Sequence, residues 1–250
     1  FSLAEIRLCR THVRRRNGYS AILCIFIYPL CGNAKKGRPK KRKEFYMYWR
    51  RKKLKYDILI PPLNKPLDML NSKEAKTYFE WYINSIPSRI EYLKHISNLQ
   101  LDFSPESLIP LWGWLLKQAE IENTPKAKLK ELNSRMKAMP CDMARTVAEE
   151  NKVQFSLQTE YILRDIAMYF GEVCVKNNPT IYWGFHTDGE KDSFANRPIL
   201  RGFLDRDFSP PFKAEFDPTF TVRCIACNLF DGDASKQDLK YIYDKWKRMM

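Results

Sequence analysis

A mainly helical α+β domain with a small late β-hairpin or sheet is predicted by three observations. Helix-start residues recur at Asn71, Ser104, Ser156, Asp217 and Ser235, each ahead of apolar residues at helical spacing. Between the last two groups of helices, residues 180–203 turn aromatic and β-branched around an Asp188-Gly189 turn, which is strand chemistry. The chain is 44% hydrophobic and 14% aromatic, which excludes disorder over most of its length and supplies a core for a domain of ordinary size.

The elements follow in order. Pro61, Pro62 and Pro66 prevent a regular helix over 56–70, so that segment is expected to run extended and lay its leucines and isoleucines on the domain. Asn71 caps the first helix, with Glu74 reaching back to it. Ala75, Tyr78, Phe79, Tyr82 and Ile86 form its apolar face, and Pro87 is expected to break or kink it before a second helix through Ile90, Leu93 and Ile96. Ser104, Pro105 and Glu106 supply a capping hydroxyl, a first-turn proline and a helpful acid for the next helix. Leu108, Leu111, Trp112, Leu115 and Ala119 are its buried face. Residues 120–154 are more polar, with one or two short helices jointed at Pro125 and Pro140. Ser156 opens a long helix through Ile162, Ile166, Tyr169 and Val173 to about Val175, stopped by Asn177, Asn178 and Pro179. Strands are expected over 180–186 and 198–203, and such a pair needs a helical layer or further strands. Asp217 and Pro218 start another helix, and Ser235 with Asp238 starts the last, ending near Met250.

Charge divides the chain differently. Residues 1–56 hold 17 of the 43 Lys/Arg but only 2 of the 29 Asp/Glu, leaving 26 basic against 27 acidic residues for 57–250. The basic character is a tail on a near-neutral body. Met47 is the first methionine, and Arg42, Lys43 and Glu44 are encodable as AGG-AAG-GAG, a purine run like a bacterial ribosome-binding site. Translation from Met47 is therefore expected. Residues 1–46 are then a basic segment that is disordered or not natively translated, and 47–250 form one globular domain.

Other readings of the tail compete. Arg14, Arg15 and Arg16 precede an apolar run over 21–31 in the order of a secretory signal. Pro29 interrupts that run, and it is too short to span a bilayer. Seven cysteines without regular spacing give no disulfide framework, so a cytoplasmic protein with no membrane partner is expected. Residues 35–43, KKGRPKKRK, resemble an AT-hook through Lys36, Gly37 and Arg38, with Lys36 where the motif usually carries arginine. That resemblance implies minor-groove DNA binding, and nucleic acid is a partner only if residues 1–46 are native. The same basic run would serve as a nuclear-localisation signal in a eukaryote.

Within the body, Cys224 and Cys227 have the spacing of a thiol pair. They fall inside a helix with no second pair to complete a zinc site, so they are expected, like Cys141 and Cys174, to be buried core thiols. Asp165 and Glu172 stand seven residues apart on one helix and can face the same way, as an acid/base pair or a hard-metal pair would. Gly171 beside them costs helix stability unless something approaches closely. His186 ends the aromatic strand and is the best-placed histidine for proton transfer. Tyr182, Trp183, Phe185 and Phe203 are either a stacking platform or alternating core residues. No G-x-S-x-G, phosphate-cradling glycine loop or metal-spaced histidine pair is present, so no cofactor or metal is expected.

The run from Asp165 to Glu172, with Asn177 to Pro179, Trp183-Gly184 and Asn196 to Leu200, is similar to a pattern in small bacterial cytosolic helix-rich proteins, some of toxin-immunity type. The resemblance implies a bacterial helix-rich domain and carries over no catalytic residue. The reading is a non-enzymatic macromolecule-binding protein whose partner is another protein. Its candidate surface is Asp165, Glu172, Trp183, His186 and Arg197, where the late helix meets the sheet. The alternatives are a DNA-associated protein using its basic arm and a hydrolase using Asp165, Glu172 and His186 in one concave pocket. Intact mass of the protein from its native host is expected to show a product starting at Met47; a product retaining 1–46 would contradict that start and favour DNA binding.

Overall fold

The computed structural model describes residues 54–136, 151–185, 195–207 and 209–250. The basic tail with Lys36, Gly37 and Arg38, Cys141 and His186 lie outside the described residues. Within them the architecture is α+β and mainly α. In chain order it comprises α1 (Ser72–Ser97), α2 (Leu108–Gln118), β1 (Ile121–Asn123), α3 (Lys126–Met136), β2 (Val153–Phe155) and α4 (Leu157–Asn177). There follow β3 (Tyr182–Phe185), β4 (Pro198–Asp205), β5 (Phe212–Phe216), α5 (Pro218–Ala226), α6 (Asn228–Asp231) and α7 (Asp238–Lys247).

The capping chemistry sets the helix starts. Asn71 accepts from the backbone N–H of Lys73 and Glu74, and the Glu74 carboxylate accepts from the Asn71 N–H, a complete capping box. Ser104, Ser156 and Asp217 each accept a backbone N–H at the start of their helical segment. Pro87 departs from the expectation: α1 runs as one helix of 26 residues through it. An interior proline costs about 3 kcal/mol. The turns on either side bury Tyr82, Ser85, Ile86, Arg89, Ile90 and Leu93, and this burial outweighs the cost.

Helix α4 is the centre of the fold. Every residue from Ile162 to Gly171 is buried, so this stretch is enclosed on all sides rather than on one stripe. Helices α1, α2 and α5 pack against it. The three-stranded sheet runs β3-β4-β5, antiparallel throughout, with Trp183 opposite Leu200 and Phe203 opposite Ala214. Phe203 and Phe216 from the sheet meet Trp246 of α7 at ring separations of 5.0 and 4.5 Å, and Phe216 meets Phe170 of α4 at 5.5 Å. These aromatic contacts give the hairpin its third strand and its helical layer.

Strand β5 and the β1–β2 pair, in which Ile121 faces Phe155, were not expected from the sequence. The three-residue strands β1 and β2 are too short to carry a period-two signal, whereas Phe212-Lys213-Ala214-Glu215-Phe216 of β5 alternates strictly and does carry one. The lead-in is extended as expected, apart from a 3₁₀ turn at Leu67–Met69. It does not bury all its apolar residues: Tyr56 and Leu70 are buried, but Ile60 is 74% exposed.

Gly171 has a structural reason. The Trp183 indole lies directly on it, and a Cβ there would overlap Cζ2 and Cη2 of the ring. Gly202 has another: its φ of +102° accompanies a register shift in β4, and a Cβ would overlap the Thr180 carbonyl. Alanine should be better than glycine in a helix interior by about 1 kcal/mol. Gly171→Ala is nevertheless expected to lower the urea midpoint. In a Trp183→Leu background the same substitution should raise it, and an unchanged sign would show that the indole is not the constraint.

Candidate functional site

Asp165 has no exposed surface, so it is not part of a surface at all. Its Oδ2 accepts from Tyr56 Oη at 2.6 Å, Arg89 Nε at 2.9 Å and Arg89 Nη2 at 2.6 Å. Its Oδ1 faces Arg164 Nε at 3.5 Å. Burial opposes the charge of Arg89, but the hydrogen bond and field of Asp165 outweigh it and hold the guanidinium above its usual range. Burial, with the carboxylate adding to it, pushes the Tyr56 hydroxyl well up. A neutral phenol and one guanidinium thus hydrogen-bond Oδ2 of the buried carboxylate, while Oδ1 has the charge of Arg164 nearby but no hydrogen bond.

Glu172 is elsewhere. It is half-buried and accepts from Trp183 Nε1 at 2.8 Å, while the indole also meets Tyr82 edge-on at 5.7 Å. The two acids therefore occupy separate environments, which corrects the expectation of one shared surface and removes the pocket that a hydrolase built on both would need. The stacking platform is not formed either. Phe203 is in the core, Trp183 lies on Gly171, and Tyr182 is largely exposed. Cys174 and Cys224 are buried and Cys227 is half-buried, as core thiols are, and burial pushes the Cys174 thiol up. Among the described residues no cluster of three or more His, Cys, Asp or Glu side chains could hold a metal, and no helix is long and apolar enough to cross a membrane.

Of the expected residues that are described, Arg197 lines a cleft, a cavity of about 360 Å³. Tyr78 and Tyr82 of α1 form one wall, and Leu157, Glu160, Tyr161, Leu163 and Arg164 of α4 form a second. Arg197 and Pro198 at the start of β4, Asp217, Thr219 and Arg223 of α5 and its cap, Lys128 of α3, and Pro61 and Leu67 of the lead-in complete it. Asn196 positions the Arg197 turn: it adopts φ 63° and donates through Nδ2 to the carbonyls of Leu67 and Leu70 at 2.8 and 3.0 Å.

Charge in the cleft is largely paired. Arg223 Nε lies 3.1 and 2.9 Å from Oε1 and Oε2 of Glu160, and its Nη2 donates to Oε1 at 2.9 Å. Burial works against Arg223, but Glu160 holds it above its usual range. Arg197 Nη1 lies 3.5 Å from Asp217 Oδ2, while Asp217 Oδ1 caps α5 by accepting from Phe220 N–H. Burial raises the Asp217 carboxyl above the usual carboxylate range, with Arg197 opposing. Burial pushes the Tyr78 hydroxyl up to about 12, while Lys128, an exposed residue, has its ammonium lowered by partial burial.

The residues that sequence reasoning missed are Arg164, Arg223, Glu160 and Lys128. Charged residues at helical spacing read as a solvated face, and nothing local signals that Arg223 meets Glu160 63 positions away. The one usable signal was Arg164 beside Asp165 in an otherwise apolar run.

No family model, curated protein or solved structure matches the chain.

Removing one partner of a buried ion pair costs about 3–5 kcal/mol, because the other charge stays buried. Asp165→Asn is expected to show a loss of that order in urea unfolding. Tyr56→Phe removes one hydrogen bond to the same carboxylate and should lose about 1–3 kcal/mol. Equal losses, or none for Asp165→Asn, would contradict the assignment of Asp165 as the centre of the cluster.

Proposed function

We propose that this chain is a non-enzymatic binding protein whose partner, another protein, docks over the arginine- and tyrosine-lined cleft. The observation that carries the reading is the distribution of exposed apolar side chains. Among the described residues five large hydrophobic side chains are exposed, and three of them border the cleft or its lining segments. Leu157 lines it while 64% exposed, Ile60 adjoins the lining residue Pro61, and Met69 follows Leu67 by two positions. Apolar residues around a cavity walled by tyrosine and arginine have the composition of an interface centre.

The commitments of Asp165 and Glu172 support a binding role over a catalytic one, since each is held by a structural partner. The resemblance to small bacterial proteins of toxin-immunity type fits such a role, and a bacterial, cytoplasmic setting belongs to the same proposal.

A photo-crosslinking residue placed at Leu157 or Ile60, in the native host, is expected to trap one dominant protein adduct. The same residue at Tyr241 of α7, which is 45% exposed and not among the lining residues, should not trap it. An adduct from Tyr241 but not from the rim, or no adduct from the rim, would overturn the reading.

A further inference from the structure

We propose that the cleft is a carboxylate-binding site, with Arg164 receiving the carboxylate of a group that carries an aromatic or branched apolar body. The inference rests on the reading of the cleft as a binding site and names the chemistry that it recognises.

Arg164 is 8% exposed and only partly used. Nη1 donates to the Leu59 carbonyl at 2.9 Å, while Nε, 3.5 Å from Asp165 Oδ1 as an ion pair, and Nη2 both make no hydrogen bond. A buried donor left without an acceptor costs free energy, more so when it is charged. The guanidinium is held in place by Tyr161 at 4.7 Å and Trp81 at 5.6 Å from the ring centroids, so an arriving anion would pay little to orient it.

The rest of the cleft selects the ligand. Its lining carries four cationic and two acidic side chains. Glu160 holds Arg223, and Asp217 lies against Arg197. Lys128 donates to the neutral Gln154 amide at 3.1 Å. The two cations not matched to an acid of the lining are therefore Arg164, inside, and Lys128, at the exposed side. A monoanion fits this arrangement. A phosphate dianion would bring a second negative charge near the carboxylates of Glu160 and Asp217. Tyr78, Tyr82 and Leu163 offer apolar wall, and a cavity of about 360 Å³ admits a benzyl-sized body.

The test uses the full chain and follows the Arg164 Nε–H resonance during titration with 3-phenylpropanoate, its amide, inorganic phosphate, and an Ala-Ala-Phe peptide with a free or amidated C-terminus. At least one free acid is expected to shift the resonance and to bind about tenfold or more tightly than its amide. Binding of phenylpropanoate without the peptide acid identifies a small organic acid as the source. Binding of the peptide acid without phenylpropanoate identifies a partner's C-terminus. Lys128→Gln, at an exposed position, should weaken binding several-fold with an unchanged urea midpoint. Arg164→Gln should abolish it if the variant folds.

Equal binding of acid and amide, a response to phosphate alone, or no response to any acid would overturn the proposal. So would affinity indifferent to Lys128→Gln. Rim crosslinks that persist while no acid binds would remove the carboxylate and leave the binding role standing.

Discussion

A single carboxylate sets the conditions for much of this fold. Asp165 sits mid-way along a helix enclosed on all sides, where an uncompensated charge would cost several kcal/mol. The compensation comes from Arg89 of α1, Arg164 on α4 itself and Tyr56 of the lead-in. The two arginines do more than neutralise it. Arg89 Nη2 also donates to the Asp57 carbonyl at 2.8 Å and Arg164 Nη1 to that of Leu59, so the same cations fasten an extended segment that has no strand partner. Asp57 N–H donating to Tyr92 Oη at 2.7 Å adds a third tie. The backbone groups of a proline-rich strap are thus satisfied by side chains rather than by a sheet.

That solution shapes the cleft. With the strap fixed from Tyr56 to Leu59, the chain continues through Pro61 and Leu67 along the cavity, and Asn196 ties the far end of it to the turn that carries Arg197. Neighbouring positions on α4 then face different tasks. Asp165 points into the cluster, Arg164 spans cluster and cleft, and Glu160, one turn earlier, crosses to Arg223 of α5. Under the proposed reading, binding and structural chemistry share a helix, and Arg164 belongs to both.

Local signals made the helices legible, because a cap and a 3.6-residue apolar period act within a few residues. Asn71, Ser104, Ser156 and Asp217 all start helical segments where their side-chain chemistry indicates. Pro87 misled because its penalty is local while the burial that overrides it comes from α4. The three-residue strands β1 and β2 were invisible for the opposite reason, having a pairing partner but no pattern of their own, while the alternation of Phe212–Phe216 in β5 was legible. The candidate site was harder still. Asp165 and Glu172 share a helix and a spacing, yet tertiary partners from positions 56, 89 and 183 assign them to different environments.

Departures from local rules are informative when each is followed to its cause. Gly171 in a helix interior is accounted for by the indole resting on it, and Gly202 by the carbonyl of Thr180. Asp165 in an apolar core is accounted for by Arg89 and Tyr56. Arg164 is accounted for only in part. The Leu59 carbonyl takes one of its nitrogens, Asp165 faces a second as an ion pair and its ring neighbours hold its plane, but packing supplies no hydrogen bond for Nε or Nη2. Arg89, the other arginine on Asp165, has its Nε and Nη2 hydrogen-bonded to Asp165 and the Asp57 carbonyl, which Arg164 does not match. That residual cost is what the proposed carboxylate site would relieve, and it distinguishes Arg164 from Arg89 on the same carboxylate.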